Sequence, residues 1–498
     1  MFSYIERQPG QAAAWLIAGF SLLHLLVIGI PDLTNDEAQY ALYGYYLDWS
    51  YFDHPPMVGW LNALILPFSD SDFALRLWPV VLSAVSSALL YGLTRDIYSG
   101  DIYSPNIAPN SAGWIATLSV VIFQSGLIFQ VLAMAMLPDT PLIPVSIAAG
   151  WALLRAFRDG WTWGWLLIGL LLGLAGLSKY TAVTLVITAL LGLFIFRQQK
   201  ILLTVWPWLA VMVASLVILP VIYWNANHDW ISIQYQLGHG MPQKNWEVSR
   251  FLLSQLGQFL AYSPGIFVFG YLASLAAIRF GSAQEQFILA LGLPVLLLFG
   301  WNSGYETSLL HWTAVGWAAL TPLIAHWIYQ HRDLVIVRIS AYTSFGYSII
   351  VIVVFHSLLA FNWLPFSANK HPLNDIYGWS HVATVAKQLR AEMQQHHPQT
   401  NAVIMVGNWS IFSRLAWYAR PEPVQVTDTR FGQSDIWYGE PRKGDNGIVV
   451  VPPKYLDKPN SSGINHFSRC HKKQSVIAEI HNKPAATYDL YACYGYDS

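Results

Sequence analysis

Charge is scarce in this chain. Only 11% of its 498 residues are Asp, Glu, Lys or Arg, against 54% hydrophobic. A soluble domain carries about a quarter charged residues, so bulk water is not the main solvent of this protein. Net charge is −1, with neither a basic tail nor an acidic run, which leaves nothing for a nucleic acid to bind. Cysteine is scarcer still: Cys470 and Cys493 are the only two. No C-x-x-C or H-x-x-x-H spacing supports a dedicated zinc site. The chain also lacks a Walker loop and a G-x-S-x-G elbow, so neither nucleotide hydrolysis nor serine hydrolysis is indicated.

What the chain has instead is long apolar runs. A helix needs about 20 apolar residues to cross the hydrocarbon core. Eleven stretches are candidates, several of them short: 11–30, 73–93, 112–131, 138–156, 163–178, 179–196, 203–223, 252–278, 284–301, 308–329 and 335–360, with the Leu-rich 163–196 open to another division. The first, without an A-x-A cleavage pattern, reads as a retained helix rather than a removed leader. The expected fold class is an all-α polytopic membrane bundle, of about eleven transmembrane helices and up to thirteen, followed by a small soluble α/β domain. The expected domains are 1–360, with outer loops 31–72 and 224–251, and 361–498. Of the 27 Lys and Arg, 14 lie after Phe361. Within that tail, Gly378–His396 reads as an amphipathic helix, Ala402–Val406 and Gly447–Val451 as buried strands, and Trp409–Tyr418 as a helix between them.

Orientation follows from the basic residues. With the N-terminus inside, nine Lys and Arg before the tail fall on inner segments and four on outer loops. Eleven spans then put the tail outside. There Cys470 and Cys493 could pair, and a buried, unpaired couple is the alternative. Acidic residues show the reverse bias, eleven outside and six inside before the tail. They have little influence on topology, so their gathering on one face locates the expected chemistry.

Three motifs stand on that face. The first outer loop reads Thr34-Asn35-Asp36-Glu37-Ala38-Gln39-Tyr40, then Asp53-His54-Pro55-Pro56. Thr34 and Glu37 fit a capping box, with Asp36 at the positive end of the helix; capping needs neither Asp36 nor the Asp53-His54 pair. The second is Leu137-Pro138-Asp139-Thr140-Pro141, where a carboxylate opens a span. The third is Ser178-Lys179-Tyr180: a lysine within an apolar stretch is costly and points to function, unless it snorkels from a turn. Asn225, His228, Glu306 and His311 are weaker loop candidates, and His24 and His356 read as satisfied bundle histidines.

Together these motifs resemble the GT-C glycosyltransferases, and more closely the bacterial family 39 enzymes related to protein mannosyltransferases and the lipid A aminoarabinose transferase. The resemblance covers roughly residues 30–320. It implies a multispanning bundle with a catalytic cavity at the outer face and a polyprenyl-phosphate sugar as donor. Asp36 matches the catalytic aspartate, Asp139 the acidic position at the fourth span, and Lys179 the lysine of Ser-Lys-Tyr. Asp53 and His54 match the acid and cation before Pro-Pro; the aminoarabinose transferases carry lysine where this chain has His54.

The chemistry so implied is inverting transfer to a lipid, glycan or protein acceptor. Asp36 is the expected base and Lys179 and His54 the donor-phosphate contacts. Asp139 is expected to orient the acceptor or tune Asp36, with Glu37, Asp53, Tyr40 and Tyr180 in support. No cofactor is required; a divalent cation, if used, would be held by Asp36, Asp53 and Asp139. The partners are the polyprenyl-phosphate sugar, the acceptor and membrane lipids. The alternative is a transporter or flippase of lipid-linked sugars, for which midplane ionisable groups and broken helices would be expected.

Overall fold

A computed structural model describes residues 8–99, 111–240, 245–361, 363, 373–456, 458, 462–480 and 483–497. Glu6, Arg7, Asp101 and Lys244, which enter the charge balance above, lie outside the described residues. Every apolar stretch expected to span is helical. Among the described residues, six helices are long and apolar enough to cross a membrane: Pro9–Val27, Asp72–Tyr98, Asp139–Asp159, Trp206–Asn227, Ala283–Asn302 and Val335–Phe361. A bent pair, Val248–Ala261 and Pro264–Phe280, makes a seventh if counted as one span; its halves meet at 109°. The stretch 252–278 is thus not one straight helix. Its break falls at Ser263-Pro264, where a proline opens the second half. Three apolar helices are shorter: Ser111–Ser125, Gly164–Ser178 and Tyr180–Ile195. The expected count of eleven is therefore not reproduced by length and composition alone.

The chain divides into two compact units. The first holds residues 1–26, 54–58 and 76–355, and the second 27–53, 59–75 and 356–498. Most of the first outer loop falls in the second unit, with the tail. In the first unit we name α1 (Asp139–Asp159), α2 (Gly164–Ser178) and α3 (Ala283–Asn302). Within it His24, expected as a satisfied bundle histidine, has its Nε2 2.8 Å from Gln130 Oε1.

In the second unit, α4 (Asn35–Tyr45) and all but the first two residues of α5 (Met57–Ile65) precede the tail elements. These two helices touch backbone to backbone at glycines: a Cβ at Gly44 would stand 2.8 Å from Asn62 Cβ and 2.9 Å from the Ala63 nitrogen. The tail contributes α6 (Trp379–His396), β1 (Ala402–Val406), α7 (Trp409–Ala419), β2 (Val424–Val426), α8 (Gln433–Tyr438), β3 (Asn446–Val451), β4 (Phe467–Ile480) and β5 (Lys483–Tyr496). The helices and strands expected at 378–396, 402–406, 409–418 and 447–451 are all present.

The sheet order is β2-β1-β3-β5-β4, with β1 parallel to β2 and β3, and the β4–β5 hairpin antiparallel. Cys470 and Cys493 face each other across that hairpin and are joined in a disulfide. One hydrophobic core unites Leu33, Ala38, Ala41 and Leu42 of the outer loop with Val403, Leu415, Val449 and Leu490 of the tail. The i, i+3, i+4 spacing of 38, 41 and 42 supplies the apolar stripe that α4 buries there.

Candidate functional site

In the first unit, two helix ends bring Asp139 and Lys179 together. Asp139 stands in the first turn of α1, where the helix dipole favours a negative charge. The turn before it is pinned by Thr140, whose hydroxyl donates to the Ala135 carbonyl at 2.9 Å and accepts from the Leu137 N–H at 3.3 Å. Lys179 ends α2 in extended conformation, with its N–H bonded to the Ala175 carbonyl. Its ammonium donates to both carboxylate oxygens of Asp139, at 2.9 and 2.8 Å. The two side chains are only 8% and 1% exposed. Lys179 therefore does not snorkel to water. Its charge faces the rings of Phe299 and Trp312, at 6.0 and 5.9 Å from their centroids, an additional cation–π attraction.

Two histidines complete this cluster. His311 Nε2 lies 3.7 Å from Asp139 Oδ2. His54 feels the charges of Lys179, Asp139 and His311. Burial, with Lys179 and His311 adding to it, lowers the His54 pKa to about 3 despite the opposing pull of Asp139. Burial also lowers His311 to about 4, against the opposing pull of Asp139. Both rings are thus neutral near pH 7. His54 offers hydrogen bonding but no permanent charge, which narrows the role expected for it. Tyr180 lies beside the same turn, with its hydroxyl 2.6 Å from that of Ser232.

In the second unit, Asp36 lies exposed in the first turn of α4. The expected capping box is formed: the Thr34 hydroxyl accepts from the Glu37 N–H, and the Glu37 carboxylate accepts from the Thr34 N–H at 3.0 Å. Glu37 is buried and used in this cap. Tyr40 and Tyr43 are 6% and 0% exposed; their rings meet edge to face, and Tyr43 stacks on Tyr51 at 3.7 Å. Both rings are packed within the loop.

Asp53 keeps 27% of its side chain exposed yet sits deep enough for desolvation to raise its pKa to about 6; Arg430 opposes this and Asp36 adds to it. Arg430 Nη2 lies 3.7 Å from Asp53 Oδ1. It was not foreseen, because nothing in the sequence around a tail arginine points to a residue 377 positions earlier. His311, a weak loop candidate in the sequence, becomes part of the Asp139 cluster. Among the described residues, no group of three or more His, Cys, Asp or Glu side chains is placed to hold a metal ion.

Residues 53–224 match the family described as dolichyl-phosphate-mannose-protein mannosyltransferase. The lipid A galacturonosyltransferase RgtD of Rhizobium johnstonii is 25% identical over 333 residues, covering 63% of this chain and 64% of that protein. The match thus spans under two thirds of that relative's length. The crystal structure of ArnT from Cupriavidus metallidurans in the apo state gives a TM-score of 0.60 at 13% identity, covering 97% of this chain and 98% of that one. The same protein bound to undecaprenyl phosphate gives 0.60 at 12% identity, covering 95% and 97%. Likeness at such low identity concerns the fold. The chain shares the fold of the ArnT structure, and six of its described helices, or seven with the bent pair, are long and apolar enough to cross a membrane.

Proposed function

We propose that this protein is an inverting glycosyltransferase that moves a sugar from a polyprenyl-phosphate donor to a lipid, glycan or protein acceptor at the periplasmic face of the inner membrane. The observation that carries this reading is the buried Lys179–Asp139 pair, with His54 and His311 beside it, at the ends of membrane helices. Desolvating a lysine and an aspartate together is expensive. Apolar residues could close the same helix ends more cheaply, so the charges are there for chemistry. Their position at helix ends speaks for reaction at an interface, rather than for passage through the bilayer midplane.

In the reaction, the acceptor hydroxyl oxygen forms a bond to the anomeric carbon of the donor. The bond from that carbon to the phosphate oxygen breaks, and polyprenyl phosphate departs with the electron pair. Asp36 takes the hydroxyl proton, and attack from the face opposite the phosphate inverts the anomeric centre. Lys179 stabilises the charge on the departing phosphate, while Asp139 fixes the ammonium in place. His54, being neutral, serves as a hydrogen-bonding group. Lipid A is one member of the acceptor class: the curated relative RgtD acts on it by name. The disulfide in the tail supports placing the tail in an oxidising compartment.

The test is transfer by the purified chain in nanodiscs, supplied with polyprenyl-phosphate sugars and candidate acceptors and read by mass spectrometry. Asp36→Asn is expected to lower the rate by about 10²–10⁴ with donor binding intact. Undiminished transfer by this variant would remove Asp36 as the base.

A further inference from the structure

The second unit holds a cavity of about 790 Å³ that the proposed reaction does not use. Gly29, residues 70–73, Tyr45 at the end of α4 and the end of α7 form its wall, and all of them belong to that one unit. Its size suits a small-molecule site, for which about 300–1,000 Å³ is usual.

Chain position puts this cavity where a bilayer would end. Gly29 stands two residues past Pro9–Val27, and Phe73 is the second residue of Asp72–Tyr98; both helices are long and apolar enough to cross a membrane. Phospholipid headgroups lie at such helix ends, and aromatic side chains gather there. Phe73 and Tyr45 are 42% and 47% exposed.

The wall carries charges of both signs. Arg420 lies over the ring of Trp417, 3.2 Å from its centroid, and 5.1 Å from that of Tyr45. Its Nε donates to the Trp417 carbonyl at 2.7 Å and its Nη2 to Asp70 at 3.2 Å. Its Nη1 bonds to no described residue. The guanidinium is thus fixed with part of its fork open, which suits a phosphate.

Two carboxylates share the wall with it. The Tyr418 hydroxyl accepts from the Leu33 N–H at 2.8 Å and donates to Asp72 Oδ2 at 2.7 Å, so Asp72 is held in place. Asp70 has 72% of its side chain exposed, and a pair so open to water holds Arg420 only weakly. Two carboxylates against one guanidinium leave the wall net negative. A simple anion is repelled there, whereas a primary ammonium has three protons to donate to carboxylates.

We propose that this cavity binds the headgroup of a zwitterionic phospholipid bearing a primary ammonium, the phosphatidylethanolamine class. The ammonium donates to Asp70 and Asp72, the phosphate accepts from Arg420, and the glycerol end lies against Phe73. Placement at the ends of two membrane helices favours the lipid over its soluble headgroup. Binding here does not depend on the sugar-transfer reading.

The full chain is purified in detergent with equal amounts of phosphatidylethanolamine, phosphatidylcholine and phosphatidylglycerol, and retained lipid is read by native mass spectrometry. Phosphatidylcholine keeps the positive charge but has no N–H to donate; phosphatidylglycerol keeps the phosphate without the cation. Wild-type protein should retain phosphatidylethanolamine over each by about fivefold or more. Asp70→Asn/Asp72→Asn leaves an acceptor for the Tyr418 hydroxyl and should lose the preference over both other lipids. Arg420→Gln should lower retention of phosphatidylethanolamine itself. If Arg420→Gln fails to fold, as its melting temperature would show, Asp70→Asn changes only an exposed side chain and should by itself reduce the preference.

Equal retention of the three lipids by the wild type overturns the proposal. So does a preference that survives in the aspartate variants, which would assign it to another surface. Free O-phosphoethanolamine that binds as tightly as the lipid would make this a site for a soluble molecule and overturn the lipid assignment.

Discussion

The two units treat their charges in opposite ways. In the membrane unit, Lys179 and Asp139 are closed into a bidentate pair and shut away from water. In the other unit, Asp36 is exposed and Asp53 is more than a quarter exposed, with its arginine at 3.7 Å. Under the proposed reaction the difference separates two jobs. A group that must hand protons to and from a substrate needs water or substrate to reach it. A group that must present a constant charge does best when its surroundings are fixed and dry, since electrostatic stabilisation works through preorganisation. The exposed carboxylates suit proton transfer and the buried pair suits charge stabilisation.

The largest effect should come from breaking the buried pair. Lys179→Met would leave the Asp139 carboxylate buried without its partner, at a cost of about 3–5 kcal/mol in stability and with loss of transfer. The double variant Lys179→Met/Asp139→Asn removes both charges and should regain most of the stability, read by thermal unfolding in nanodiscs, but none of the activity. If the double variant also regained transfer, the pair would be structural and the contrast between the units would fail.

Much of this contrast was legible in the sequence. Asp139 and Lys179 were both visible because charge inside an apolar run is rare and costly, and the capping box at Thr34–Glu37 gave the start of α4. The pairing of Asp139 with Lys179 was not legible, because the two are 40 residues apart and only helix packing brings them together. The tail was half legible. Ala402–Val406 and Asn446–Val451 are buried along their whole length and read as unbroken apolar runs. The edge strand β4 carries Arg469, His471, Lys472 and Lys473 across an exposed surface. A polar sequence of that kind resists edge-to-edge pairing but hides the strand from a search for apolar alternation. The union of the first outer loop with the tail depends on contacts across more than 300 residues, and local pattern carries no trace of it.

A smaller effect should come from His54. Its pKa lies near 3 in the fold and about 6.5 outside it, so the folded state favours the neutral ring. The resulting stability is fully present above pH 6.5 and is lost as pH falls from there towards 3. His54→Asn removes the titrating group. The melting temperature of this variant should fall less between pH 6.5 and 4 than that of the wild type. Parallel curves for the two proteins would mean that His54 is hydrated and can charge, restoring it as a candidate cation for the donor phosphate.

The smallest effect on transfer should follow loss of the Cys470–Cys493 disulfide. The cysteines are 23 residues apart, a loop whose closure is worth about 3 kcal/mol in the chain-entropy account. Because β4 and β5 are already paired along a hairpin, the loss should fall below that figure and be confined to the tail. Cys470→Ser/Cys493→Ser should therefore lower the unfolding temperature of the tail and leave transfer near wild type, since neither cysteine touches the carboxylates or cations described above. The same bond reports on orientation. Protein taken from cells into alkylating reagent should resist modification at both cysteines until a reductant is added. Thiols that react at once would place the tail in a reducing compartment, and either the N-inside orientation or the count of eleven spans would then fail.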